Sequence, residues 1–234
     1  MAISLRQTSS TAMPEFQIQT FQGEQILPYI PAVARLRIEV FREYPYLYDG
    51  SLDYEARYLR TYSDSRESFF VIVFRNQEVI GASTGVPMAD AEESGKKPFV
   101  DKGYDPDRIF YFGESVLRRP YRGLGLGVRF FQEREAYAQR LGRFDWIAFC
   151  AVERPENHPR RPADYVPLDR FWNRRGYAKH PELSTTYVWQ DLDETEATPK
   201  PMVFWLKQVK PSSAVSKNRK LMPETPDARR STPR

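Results

Sequence analysis

Three glycines alternate with leucines in Arg122-Gly-Leu-Gly-Leu-Gly127, between an apolar β-rich run at 109–117 and an amphipathic segment at 125–141. A strand that turns through such a loop into a helix leaves the N–H groups of the first helical turn unpaired, and glycines, lacking Cβ atoms, let an anion come close to them. The feature therefore commits the chain to an α/β arrangement with a phosphate cradle. A Walker loop needs Gly-Lys followed by Ser or Thr, whereas Val128 and Arg129 follow Gly127 here, so the nucleotide-hydrolysing reading fails. A dinucleotide fingerprint needs G-x-G-x-x-G, and Gly123, Gly125 and Gly127 are spaced G-x-G-x-G. What remains is a loop of backbone amides with Arg122 at its mouth, suited to a pyrophosphate that is held but not hydrolysed.

The rest of the chain alternates strand and helix. Residues 16–21 alternate like a strand, and 30–41 place Val33, Leu36 and Val40 at helical spacing with Arg37 and Glu39 turned outward. Ser51 can cap a second helix carrying Leu52, Tyr58 and Leu59. Two β-branched and aromatic runs, 68–74 and 79–86, flank Asn76-Gln77 and read as a hairpin. Residues 88–108, with Gly95, Pro98, Gly103 and Pro106, read as a loop-rich insertion. Strand 109–117, helix 125–141 and strand 144–152 then form a βαβ unit, whose strands are expected to be parallel neighbours. A helix around 168–175 ends at Gly176, and strands at 185–190 and 202–209 follow.

Charge and composition narrow the partners. The chain carries +4, of which residues 210–234 supply +5 (seven Lys/Arg against two Asp/Glu), leaving residues 1–209 at −1. The basic character sits in the tail, so no nucleic-acid partner is expected for the folded part. The tail is poor in large apolar residues and is expected to be disordered, with nucleic-acid binding by the tail as the lesser alternative; residues 1–14 are expected to be flexible. With 41% hydrophobic residues, 15 Phe and 14 Tyr in the chain, residues 15–209 are expected to form a single domain. No apolar run reaches the roughly 20 residues that span a bilayer and the N-terminus lacks a signal peptide's apolar stretch, so a cytoplasmic location without a membrane partner is the expectation. Cys150, the one cysteine, lies in an apolar run and reads as a buried, inert thiol.

The run Glu114-Ser-Val-Leu-Arg-Arg-Pro-Tyr-Arg-Gly-Leu-Gly-Leu-Gly127 resembles motif A of the GNAT superfamily of N-acetyltransferases, R/Q-x-x-G-x-G/A, with Arg122, Gly125 and Gly127 filling it. Further on, Phe171-Trp-Asn-Arg-Arg-Gly-Tyr177 resembles that family's F-Y-x-x-x-G-F signature. The element order between 16 and 209 fits as well. The resemblance implies an α/β (α+β) fold with a mixed, mostly antiparallel central sheet of about seven strands and flanking helices. In it the fourth and fifth strands, 109–117 and 144–152, are a parallel, splayed pair.

The resemblance also implies acetyl-CoA, or another acyl-CoA, as cosubstrate. The amides of Arg122, Gly123, Leu124, Gly125, Leu126 and Gly127 would take its pyrophosphate, and the backbone of Val116 and Leu117 would pair with pantetheine. The Leu117 N–H aligns with the family's thioester-polarising amide. The acceptor must be a neutral amine, which for a lysine-like group of pKa ~10.4 costs about 4.6 kcal/mol at pH 7. Glu114, in the strand beside the thioester, is the candidate general base, directly or through water; the alternative is a carboxylate that faces solvent or pairs with an arginine. Trp172 stands where the family often has a tyrosine that protonates the departing thiolate, and an indole does not serve that purpose. Tyr165, aligned with a cofactor-contacting Asn of the family, is the substitute for either the acid or that hydrogen bond.

Tyr44, Tyr46, His158 and Trp172 are the candidate substrate contacts. The tyrosines belong to an aromatic stretch with Tyr48, Tyr54, Tyr58 and Tyr62 that suits an aromatic or amphipathic acceptor, and equally helix packing or a homodimer surface. His158 lies in the proline-stiffened linker 153–162, which gates the site or binds substrate, or is simply an exposed loop; with no second His or Cys nearby, no metal site is expected. The expected function is transfer of an acetyl group from acetyl-CoA to a primary amine of a small molecule or peptide, by direct attack in a ternary complex. A longer-chain N-acyltransferase and a noncatalytic CoA-binding module are the alternatives.

Overall fold

The computed structural model describes residues 16–209; the expected flexible N-terminus and basic tail lie outside them. Eight strands make one mixed sheet: β1 (Gln17–Gln22), β2 (Phe69–Arg75), β3 (Glu78–Pro87), β4 (Ile109–Tyr111), β5 (Ser115–Leu117), β6 (Trp146–Val152), β7 (Ala178–Trp189) and β8 (Thr198–Gln208). Their order is β1-β2-β3-β4-β6-β8-β7, with β5 paired to β3 beside β4. Among the described residues only β4 and β6 pair in parallel, as the βαβ reading requires. The eighth strand arises because the expected strand 109–117 breaks into β4 and β5.

Helices α1 (Ile30–Phe41) and α2 (Leu52–Asp64) cover one face of the sheet with Ile30, Val33, Leu36, Leu59 and Tyr62. Helices α4 (Leu126–Leu141) and α5 (Asp169–Asn173) cover the other, where Phe130, Phe131, Phe149 and Trp205 interlock. Ser51 caps α2 as expected, its Oγ accepting from the Tyr54 N–H at 3.3 Å, although Leu52 in that first turn stays half exposed. Asn76 and Gln77 both adopt positive φ, 47° and 67°, the twist a two-residue hairpin needs.

Three expectations need correction. The 88–108 segment is not chiefly loop, for it contains α3 (Glu93–Asp101). Pro98 cannot donate to the Ser94 carbonyl within that helix, and the Thr185 hydroxyl donates to it instead at 2.7 Å. Phe99, fully buried, anchors the helix edge-on to Phe204. Strand β7 begins at Ala178, seven residues earlier than expected, because a bulge between His180 and Ser184 interrupts the alternation that betrays a strand. Arg37 is buried, not turned outward, since it falls at i+4 from Val33 on the apolar stripe of α1.

Candidate functional site

The break between β4 and β5 builds the site. On the β3 side, Val86 faces Tyr111 before the break, whereas Ser83 faces Ser115 after it, so one extra residue has entered the strand. Gly113 and Glu114 share Thr84 as partner: the Gly113 N–H donates to the Thr84 carbonyl at 3.2 Å, and the Thr84 N–H to the Glu114 carbonyl at 3.1 Å. Position 113 must be glycine because a Cβ there would run into the Tyr62 hydroxyl and Thr84 Oγ1. A one-residue shift moves every later side chain to the opposite face. Phe110 and Phe112 face α4, whereas Glu114 and Val116 face α1 and α2.

The same bulge opens the sheet. Parallel pairing with β6 ends where the Phe112 N–H meets the Ala148 carbonyl at 2.8 Å, and β5 pairs only with β3. In that antiparallel ladder 84 with 114 and 80 with 118 are bonded pairs, which makes 82 with 116 the bonded pair between them. The peptide groups of Val116 therefore face β3, and those of Ser115 and Leu117 face the slot between β5 and β6. The Leu117 carbonyl takes the Arg122 Nε at 2.9 Å, leaving the Leu117 N–H and both Ser115 groups open among the described residues. Across the slot, the peptide groups of Cys150 and Val152 point inward, because their neighbours bond to β8.

At one end of the slot lies the glycine loop. Gly123 and Gly125 sit at φ +79° and +82°, conformations that favour glycine, and nothing approaches within 4 Å of where their Cβ atoms would be. Gly125 caps α4 without a side-chain cap, and while the Val128 N–H donates to the Gly125 carbonyl at 3.0 Å, the amides of residues 123–127 have no protein acceptor among the described residues. Arg122 does not reach over this loop. Its guanidinium forms a bidentate pair with Glu43 at 2.8 Å on each arm. Beside the loop a groove of about 610 Å³ runs between α4 and the 166–175 segment, with Arg170, Arg174, Val166 and Phe171 in its walls.

On the α1 face, Glu114 is buried against Arg37, whose Nη1 lies 2.6 Å from Glu114 Oε2, while the Arg37 Nε donates to Glu55, itself fully buried. The Arg37–Glu114 contact is not an aligned hydrogen bond, and neither Glu114 oxygen nor Glu55 Oε1 has another donor. Burial alone would depress the Arg37 guanidinium, but Glu114 and Glu55 reverse this and hold it well above its ordinary value. The guanidinium also lies over the Tyr58 ring at 4.4 Å and that of Phe41 at 5.1 Å. Burial first, and nearby Glu114 second, raises the Tyr62 phenol, whose hydroxyl sits 2.8 Å from that of Tyr58. Cys150 is buried with its Sγ 3.2 Å from the Tyr111 hydroxyl, and burial pushes the thiol up to about 11.

At the C-terminal end of β6, Tyr44 packs edge-on to Tyr165 at 4.7 Å and against His158 at 5.7 Å, and burial raises the Tyr165 phenol. Arg154 secures this loop, donating to the Pro45 and Tyr46 carbonyls at 2.8 Å and pairing with buried Asp191. Tyr46 packs between Phe41 and Trp189 on the α1 face. Trp172 does not join them: its ring meets those of Phe149 and Trp205 edge-on, on the face that carries α4. Among the described residues, no group of three or more His, Cys, Asp and Glu could hold a metal ion, and no helix is long and apolar enough to cross a membrane.

Arg37, Glu55, Ser115 and Arg134 were not legible as site residues from charge alone. Burial stripes carry the signal: Arg134 stands at i+3 and i+4 from the buried Phe131 and Phe130, and Glu55 at i−4 from Leu59.

A family model described as the acetyltransferase (GNAT) family matches residues 33–163, more than half of the chain. No curated protein matches the sequence. Among solved structures, the chain is similar to an acetyltransferase from Streptococcus agalactiae 2603, at 17% identity and a TM-score of 0.52 over 82% of this chain and 98% of that one. It is similar to an N-acetyltransferase from Staphylococcus aureus Mu50, at 12% and 0.52 over 84% and 99%. It is likewise similar to a ribosomal-protein-alanine N-acetyltransferase from Brucella melitensis, at 12% and 0.52 over 81% and 99%. At such identities the likeness is one of fold.

Proposed function

The chain belongs to the GNAT acetyltransferase family, and from that premise we propose that it carries an acetyl group from acetyl-CoA to a primary amine of a small molecule or peptide, by direct attack in a ternary complex. The observation that carries this reading is the slot beside β5: a backbone edge with open donors and acceptors, ending at a glycine loop whose amides lack acceptors. A molecule with a diphosphate at one end and an amide-bearing arm matches both parts.

When bound, acetyl-CoA supplies an activated thioester acyl group. The N–H groups of residues 123–127 hold the diphosphate, and Arg122 joins them by exchanging Glu43 for phosphate oxygens. Ser115 and Leu117 hold the pantetheine arm; this role passes from Val116 to Ser115, because the Val116 peptide groups are spent on β3. The Leu117 N–H donates toward the thioester oxygen, where a fixed donor is worth most as charge develops. Glu114 takes the proton of the amine, directly or through water, from within its ion pair with Arg37, in which neither carboxylate oxygen has an aligned hydrogen bond. Tyr44, Tyr46 and His158 flank the acceptor. Tyr165, which burial keeps protonated, hydrogen-bonds the departing sulfur, and Trp172 has no part on this side.

A screen of amine acceptors with acetyl-CoA, reading free thiol, tests the reaction. Gly125→Trp tests the cradle: at φ +82° an indole is strained and fills the open space over the loop, and the substitution is expected to weaken CoA by about 100-fold or more in calorimetry. An affinity equal to that of the unchanged protein would overturn the CoA assignment.

A further inference from the structure

Arg134, in the middle of α4, is 1% exposed and meets no carboxylate at ion-pair distance among the described residues. Its Nε donates to the Phe130 carbonyl at 3.1 Å, its Nη1 to the carbonyls of Thr84 at 2.9 Å and Glu114 at 3.0 Å, and its Nη2 to Ser115 Oγ at 2.7 Å. The guanidinium lies 4.0 Å from the centre of the Phe112 ring and 5.2 Å from that of Phe131. Burial pushes it down to about 10, so it is still charged at neutral pH. A buried cation without a counter-ion is costly, and here everything it holds outside its own helix belongs to one feature. Phe112, Thr84, Glu114 and Ser115 are the bulge and its partner.

We propose that Arg134 is a positioning residue for acyl transfer, a clamp on the bulge that sets the register of β5. The role rests on the function proposed above. Through the Glu114 carbonyl the clamp fixes which face receives the Glu114 carboxylate, and through Ser115 it fixes the open edge from which the Leu117 N–H points into the slot. It acts from the face opposite the carboxylate and touches neither acyl donor nor acceptor. A planar fork spans two carbonyls and a hydroxyl together, which a lysine ammonium on a flexible stem does not reproduce.

The carbonyl carbon of [1-13C]acetyl-CoA provides a readout that needs no known acceptor. On binding to the unchanged protein its resonance is expected to move downfield, as the Leu117 N–H polarises the thioester. Arg134→Lys is expected to melt cooperatively and to bind CoA within about fivefold of the unchanged affinity, since the diphosphate amides are untouched, while losing most of that shift. A full shift in a folded Arg134→Lys protein overturns the proposal, as does CoA binding by the unchanged protein with no shift at all. Absence of CoA binding by the unchanged protein instead overturns the acyl-CoA reading on which the role rests. Should Arg134→Lys fail to fold, Ser115→Ala, at an exposed position, removes one arm of the fork; it is expected to lose a smaller part of the shift, and a full shift there overturns the proposal.

Discussion

Arg37 and Arg134 approach the same bulge from opposite faces of the sheet, and the fold stabilises their charges by opposite means. Arg37 is shared between two buried carboxylates, which lift its pKa against the effect of burial. Arg134 has only carbonyls, a hydroxyl and ring faces, and burial drags its pKa down. The difference follows from what each must hold. A side-chain carboxylate needs a charge beside it, whereas a backbone bulge needs donors in a fixed geometry. One arginine balances charge and the other supplies shape.

The largest effect is expected where charge is balanced. Arg37→Met would leave Glu55 and Glu114 buried together without a cation, and removing one partner of such a group costs about 3–5 kcal/mol. Chemical denaturation of both proteins from about pH 6 to 9 tests this, and equal stabilities would mean that Arg37 does not offset the two buried carboxylates.

A smaller and pH-independent loss is expected on the other face. After Arg134→Met the Thr84 carbonyl still accepts from Gly113 and the Glu114 carbonyl still accepts from Thr84, so no acceptor is orphaned. Loss of charged hydrogen bonds, offset by relief of a buried cation, should cost about 1–3 kcal/mol. The sign of the pH effect follows from the lowered pKa. Folding penalises the charged form at every pH below about 10, and the penalty is relieved only as pH rises beyond that value. Between pH 6 and 9 the guanidinium is protonated folded and unfolded alike, so the difference between variant and unchanged protein should be flat by the same denaturation series.

What could be read from the sequence divides along the same line. The glycine loop, the βαβ unit and the parallel β4–β6 pair follow from local rules: positive φ needs glycine, and a strand, a helix and a strand in succession close right-handed. Glu114 stood out as a carboxylate in the strand beside the expected thioester. Its destination did not, because the face it occupies depends on one inserted residue, and strand alternation carries no mark of a bulge. Arg37 and Arg134 look like solvent-facing residues to any reading by polarity, although their positions on the apolar stripes of α1 and α4 place them inside. Tyr44, His158 and Tyr165 lie more than 100 residues apart at the extremes, and long-range contacts such as the docking of Arg154 on the 45–46 carbonyls bring their loops together.

The rings beneath the two guanidiniums separate the faces most finely. Phe112 lies 4.0 Å from Arg134 and is fully buried, whereas Phe41 lies 5.1 Å from Arg37 at the partly exposed end of α1. Where no carboxylate is present, the ring's negative face is the nearest thing to a counter-charge, and a desolvated cation–π contact reaches about 2 kcal/mol. Beside two carboxylates the same contact adds less, about 0.5–1 kcal/mol. Double-mutant cycles with Phe→Leu and Arg→Met on each face isolate the pairwise part from the lost packing area. The Phe112–Arg134 coupling should exceed the Phe41–Arg37 coupling by about 1 kcal/mol. Equal couplings would mean that Arg134 owes its place to hydrogen bonds alone, and the ring would then be ordinary core.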